Sequence, residues 1–174
     1  MMYRLILFVA IFLHSFSLRA QEVIKVDLQA SGLTCSMCSN AINKALRSLD
    51  FVEKVDANIK NSSFDIRFKK DAAIDFDRMK AKVEGAGFTV ARFMVTMNFR
   101  AQKTLDDQCV FIGSTGYRFV NLKEPYLDGE KTIRIMDKGF IPAKEFKKNT
   151  AIYTDKCYDR IESTTAKLYH VIIS

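Results

Sequence analysis

Histidine is nearly missing from this chain. Of 174 residues only His14 and His170 are imidazoles, and His14 lies in an N-terminal apolar run that does not read as part of the fold. A Ser-His-Asp triad needs one imidazole, and three-His zinc or two-His iron sites need more. With His170 the one imidazole left, hydrolase and oxygenase readings start far behind, and the chain reads as a non-enzyme. Proline and glycine are scarce too, at two and seven, which excludes collagenous and low-complexity sequence. With 48% apolar and 27% charged residues, the composition suits one medium domain or two small ones.

Concentrated charge is also lacking. The formal charge is +7, yet no run of basic residues exceeds two, as at Lys69-Lys70 and Lys147-Lys148. A nucleic-acid groove gathers its charge into a patch, so no nucleic-acid partner is expected. The only long apolar run is Leu5 to Phe16, broken by His14 and Ser15. A membrane-spanning helix takes about 20 apolar residues. This shorter run, preceded by Arg4 and followed by Ser17-Leu18-Arg19-Ala20, reads as a signal peptide over residues 1–20, with cleavage after Ser17 as an alternative. The expectation is a periplasmic or secreted protein, with no stable membrane insertion after cleavage.

Past that segment the chain alternates with period two. Ile24, Val26, Leu28 and Ala30 fall on one side and Lys25, Asp27 and Gln29 on the other, which reads as a half-buried strand. A helix is expected from Ser39 to Leu49, because Ala41, Ile42, Ala45, Leu46 and Leu49 form one face. Strands are expected around Val52 to Ile59 and Phe64 to Phe68. A second helix spans about Asp75 to Ala86, stopped by Gly85 and Gly87, and a fourth strand starts at Phe88. This order, βαββαβ, is the split βαβ or ferredoxin-like unit, over residues 21–93.

From residue 94 to 174 the expectation is a second small β-rich unit, OB-like in the barrel reading and, with no Pro/Gly/Ser linker between the halves, closely coupled to the first through the strand around Phe93, giving an α+β chain overall. Its strand candidates are Cys109 to Ile112, Tyr117 to Leu122, Thr132 to Met136, Ala151 to Thr154 and Lys167 to Ile173. Turn signals at Gly113-Ser114-Thr115-Gly116, Leu127-Asp128-Gly129 and Asp137-Lys138-Gly139 separate them, with one short helix at Ala143 to Lys148. Its aromatics are read as core and His170 as structural. Cys109 and Cys157 are expected to form a disulfide, from the exported context and the even cysteine count. Free thiols and a second metal site are the alternatives.

Cys35-Ser36-Met37-Cys38 carries the chemistry. Two thiols three residues apart, where a strand hands over to a helix, meet unpaired backbone N–H groups and a helix dipole that favour the thiolate. Two thiolates alone can hold an ion that tolerates two-coordination, such as Cu(I) or Hg(II). No Asp, Glu or His stands within six residues of either cysteine, which disfavours Zn(II).

Gly32, Thr34, Cys35, Cys38, the following helix and Glu84-Gly85-Ala86-Gly87-Phe88 together resemble the heavy-metal-associated domain family. That family comprises the metal domains of copper chaperones, heavy-metal-transporting P-type ATPases and periplasmic mercury-binding proteins. The resemblance covers about Val23 to Phe93 and implies that Cys35 and Cys38 are the metal ligands. It places Phe88 in the aromatic-bearing loop packed beside them. Leu33 stands where the family usually has Met, a near-isosteric packing change, and Met37 is read as solvent-facing. The ion expected is Cu(I), with Hg(II), Cd(II) or Zn(II) as alternatives. The partner expected is a metal-transporting ATPase or another thiol-bearing acceptor. Two other readings stand beside it: a disulfide-stapled structural or interaction protein with no metal role, and a thiol-disulfide oxidoreductase.

Overall fold

The computed structural model describes residues 22–33, 35–104, 109–113, 115–122, 124–149, 157 and 167–174. The expected signal peptide, Thr34 and the strand expected at Ala151 to Thr154 lie outside these residues. The elements run β1 (Glu22–Ser31), α1 (Ser36–Arg47), β2 (Val52–Asn58), β3 (Ser63–Phe68), α2 (Phe76–Gly85) and β4 (Thr89–Lys103). They continue with β5 (Cys109–Ile112), β6 (Thr115–Phe119), β7 (Tyr126–Ile135), α3 (Ala143–Lys148) and β8 (Lys167–Ile173).

Elements β1 to β4 give the expected ferredoxin-like unit. β1 pairs antiparallel with both β3 and β4, and β2 pairs antiparallel with β3. Val26, Leu28 and Ala30 of β1 are buried with Phe64 and Ile66 of β3, beneath Ile42 and Leu46 of α1 and Met79 and Val83 of α2. Helix α2 starts where the side chain of Asp75 accepts from the Arg78 amide at 3.1 Å, which satisfies one orphan donor of the first turn. It stops in a Schellman pattern: the Gly87 amide donates to Glu84 O and the Phe88 amide to Val83 O. Gly87 has φ +88°, a left-handed value that glycine adopts without strain.

The small β-rich barrel expected after this unit does not form among the described residues, while the expected coupling through the strand around Phe93 does. β4 is 15 residues long and continues through Phe93, and the eight strands of the described residues join one sheet in the order β2-β3-β1-β4-β7-β8-β6-β5. The reason lies in β4, where Val90, Phe93, Val95, Met97 and Phe99 are all buried. A strand so apolar needs neighbours on both edges, and β7 supplies the second by antiparallel pairing from Met94↔Arg134 to Lys103↔Tyr126. The turn expected at Leu127-Asp128-Gly129 is a bulge inside this pair. The register shifts between Phe99 and Gln102, Ala101 takes φ +43°, and its amide donates to Asp128 Oδ1 at 2.9 Å.

The two halves also share one core. Phe93 of β4 meets Phe76 of α2 edge-on at 5.5 Å and Phe140, after β7, at 5.1 Å. Tyr169 of β8 contacts Phe76 at 5.6 Å and Phe140 at 5.7 Å. Polar contacts tie α2 to β8 as well: Tyr169 Oη donates to Asp77 at 2.9 Å, and Lys167 Nζ reaches Asp75 at 2.7 Å. Tyr117, Phe119, Phe140 and Tyr169 are therefore core, as expected, whereas Phe111 and Phe146 are half-buried, Tyr126 is 55% exposed, and Tyr153 and Tyr158 lie outside the described residues. His170 is buried, with its amide and its Nδ1 each 2.8 Å from the Asp137 carboxylate, which pins β8 to the loop after β7.

Candidate metal centre

The cysteine loop lies where β1 ends. Ser31, the last residue of β1, pairs with Thr89, the first of β4. This register brings the chain after Ser31 beside the chain before Thr89, which is Gly87-Phe88. Gly32 turns the chain at φ +80°, and Leu33 and Phe88, both half-buried, pack against the core. The loop is thus clamped from below by apolar contacts, while Cys35, Ser36 and Met37 are exposed.

Helix α1 begins at Ser36, three residues earlier than the apolar periodicity indicates. Cys35 is its N-cap, with extended backbone at φ −144° and ψ 155°, and its Sγ accepts from the Cys38 amide at 3.2 Å. Once the pair is reduced, that amide and the positive end of the helix dipole are placed to meet a negatively charged sulfur. The first turn holds no acidic residue to oppose this. Periodicity could not reveal it, because Ser36, Met37 and Cys38 offer no apolar face; the signal was a capping-competent side chain after a positive-φ glycine.

Cys35 is exposed and Cys38 half-exposed. Their Cα atoms stand 5.4 Å apart and the structure places their sulfurs within bonding distance. Met37, between them, is 84% exposed and turned to solvent. Among the described residues no three His, Cys, Asp or Glu side chains converge on one point. What the loop offers a metal is therefore two sulfurs on an accessible rim. Thr34 lies outside the described residues.

Cys109 and Cys157 come together far from this loop in sequence and in the sheet. Both are fully buried, their Cα atoms are 6.1 Å apart, and their sulfurs are within bonding distance. Cys109 opens β5, an edge strand of the sheet.

Residues 27–89 match the model of the heavy-metal-associated domain. The probable copper-exporting P-type ATPase of Archaeoglobus fulgidus is 36% identical over 63 residues, which make up 36% of this chain and 8% of that one. The copper chaperone CopZ of Staphylococcus aureus (strain JH9) is 28% identical over 71 residues, 41% of this chain and 97% of the chaperone. Among solved structures, a CopZ metallochaperone aligns with 38% of this chain and 98% of its own length, at 27% identity and a TM-score of 0.36. The chain thus spans a small fraction of the ATPase and nearly all of the chaperone, and more than half of it lies outside either match.

Proposed function

We propose that this chain, which carries a heavy-metal-associated domain at residues 27–89, binds Cu(I) through the thiolates of Cys35 and Cys38 and passes it on by ligand exchange. The observation that carries the reading is the loop itself: two sulfurs on an exposed helix N-terminus, with one amide aimed at Cys35 Sγ and no third ligand beside them among the described residues. Such a donor set suits a soft ion content with two ligands, Cu(I) or Hg(II), better than Zn(II), which seeks four. The copper chaperone and copper ATPase among the relatives favour copper.

Transfer needs the reduced pair, because joined sulfurs have no thiolate to offer. An acceptor's thiolate approaches the exposed rim and adds to the bound ion as a third ligand. One cysteine then leaves, and repetition moves the ion across. The acceptor is a thiol-bearing protein, with the metal domain of a P-type ATPase as the chemical type. Export by the residue 1–20 segment would put this exchange in the periplasm or outside the cell. No catalytic residue takes part, and the role is delivery or sequestration rather than catalysis.

Anaerobic Cu(I) titration of the reduced protein against a competing chelator tests the reading, with the Cys35→Ser/Cys38→Ser variant beside it. One-to-one binding that vanishes in the variant is the expected result. Equal binding by both proteins, or none by either, removes Cu(I) handling. The placement of both cysteine pairs within bonding distance favours one other reading, a disulfide-stapled scaffold. Thiol titration of the native protein separates them, since a scaffold shows no reactive thiol until reductant is added. A thiol-disulfide oxidoreductase would instead turn over a disulfide substrate.

A further inference from the structure

The end of the sheet that carries the cysteine loop differs from the rest of the surface in two ways, and the first is charge. In a chain with 27% charged residues, none stands between Asp27 and Lys44, the stretch that holds the whole loop, or between Glu84 and Arg92, the stretch that holds Phe88. The β2–β3 turn belongs to the same end, because the Ala30 amide donates to Ser62 O at 3.0 Å and Gln29 Nε2 to Asn61 O at 3.0 Å. Between Asp56 and Asp65 that stretch has one charge, Lys60. The acids that bound these stretches are offset on the sheet, Asp27 by Arg92 at 3.8 Å, Asp56 by Lys54 at 2.8 Å and Asp65 by Lys25 at 2.9 Å. Lys82 and Glu84, near the end of α2, are of opposite sign.

The second difference is apolar exposure. Four large hydrophobic side chains are exposed among the described residues, and the two most exposed, Met37 at 84% and Ile59 at 58%, both stand at this end. Ile24 and Tyr126 lie at the opposite one, at the start of β1 and beside the end of β4. Met37 is in the first turn of α1, between the two sulfurs in sequence, and Ile59 is in the β2–β3 turn. The half-buried Leu33 and Phe88 add part of their surface.

Any acceptor of the ion must cover this end. Its thiolate has to come within bonding distance of an ion held by Cys35 and Cys38, so its surface closes over Met37. Few charges and an exposed Met are the composition of an interface core, and a flexible thioether adapts to apolar partners. We propose, resting on the copper-transfer reading, that the acceptor docks through apolar side chains around its own thiols, with Met37 and Ile59 as this chain's contacts, and not through an acidic face. Such contacts keep water out around the ion while its ligands change. They also respond little to salt, whereas charge steering fades as salt rises.

Two synthetic peptides with the same Cys-Gly-Gly-Cys centre serve as acceptors, one flanked by Leu and Phe and the other by Glu. Full-length reduced protein carrying a single equivalent of Cu(I) is mixed with each at matched thiolate concentration, and transfer is timed by stopped flow through a dansyl label on the peptide. The apolar peptide should take the ion about tenfold faster or more, with a rate that changes less than about twofold between about 50 and 500 mM NaCl. Met37→Gln/Ile59→Gln, two exposed changes, should slow that transfer about tenfold while transfer to the acidic peptide and the Cu(I) titration stay unchanged. Equal rates to the two peptides, a faster acidic peptide, or a variant that matches wild type on the apolar one would overturn the proposal alone, since the ion is still bound and passed. Wild type that binds no Cu(I) in the titration removes the copper-transfer reading and this proposal with it.

Discussion

The region up to Thr89 and the region after Met94 differ in where their stability comes from. The first is specified locally: an alternating strand, an N-capped helix, a Schellman stop and a glycine turn each occupy a short window of sequence. The second offers fewer such signals: β5 and β6 form a local hairpin, but β6 also pairs parallel with β8 across some fifty residues. It has no separate core, because Phe140 and Tyr169 reach into the aromatic cluster of Phe76 and Phe93. The lesson is that a unit which makes up nearly all of a matched relative is here the first half of a wider sheet. Its β4 edge, free in a four-stranded unit, is covered by β7.

The hardest test of this difference is Phe140→Ala. Phe140 is buried and belongs to the second region, yet it touches Phe93 of the first. Its truncation should cost about 3–5 kcal/mol, read by chemical denaturation as one transition that moves for both regions. Two separated transitions would restore the two-domain picture. Next in size is the Cys109→Ser/Cys157→Ser variant. If the buried pair is joined, the loss should be about 2–4 kcal/mol under non-reducing conditions and should disappear when wild type and variant are compared in reductant. A smaller effect falls in the first region. Gly87→Ala meets no atom within 4 Å, so only its left-handed backbone is penalised, by about 1–2 kcal/mol, and the loss should come with altered amide shifts at Phe88.

The smallest effect is the pH dependence of the clasp between α2 and β8. Burial alone would raise the carboxyls of Asp75 and Asp77, but hydrogen bonds from Lys167 and, for Asp77, from Lys80 and Tyr169 hold both below the ordinary value of 3.8. Burial would likewise lower Lys167, yet its bonds to the two carboxylates raise it above 10.5. A depressed acid stabilises the fold above its unfolded pKa and loses that contribution as pH falls through the folded one; a raised lysine contributes below its unfolded pKa and loses it as pH climbs. The clasp is therefore complete between about pH 4 and pH 10. Lys167→Met should flatten the acid limb of a stability-against-pH curve below pH 4, and an unchanged limb would mean that α2 and β8 are held by apolar contacts alone.

Local signals explain what was legible in the sequence. Asp75 before an apolar stripe and Gly87 after it bounded α2 to within a residue, and the alternation of Ile24 to Ala30 located β1. Cys35 and Cys38 stood out because few residue types bind soft metal at that spacing. The start of α1 was missed because capping by Cys35 leaves no periodicity. The barrel was expected because Asp128-Gly129 looks the same in sequence whether it makes a turn or a bulge. Its role depends on Ala101, 27 residues away, donating to Asp128. One signal for the continuous sheet was present: the alternation through Val95, Met97 and Phe99 never pauses after Phe93.

The most direct test of the whole account exploits the tyrosines. The chain has no Trp, and apart from Tyr3 its tyrosines are Tyr117, Tyr126, Tyr153, Tyr158 and Tyr169, all in the second region, whereas Cys35 and Cys38, the proposed copper ligands, are in the first. Thermal unfolding of the reduced protein, followed by the tyrosine signal with and without Cu(I), therefore reads one region while the ligand binds the other. In a single cooperative body, Cu(I) at a hundredfold excess over its Kd adds about 2.7 kcal/mol to the native state. The tyrosine transition should then move upward in the wild type and stay fixed in Cys35→Ser/Cys38→Ser. A tyrosine transition that ignores Cu(I) while the wild type binds it would contradict the account, and the two regions would then be independent.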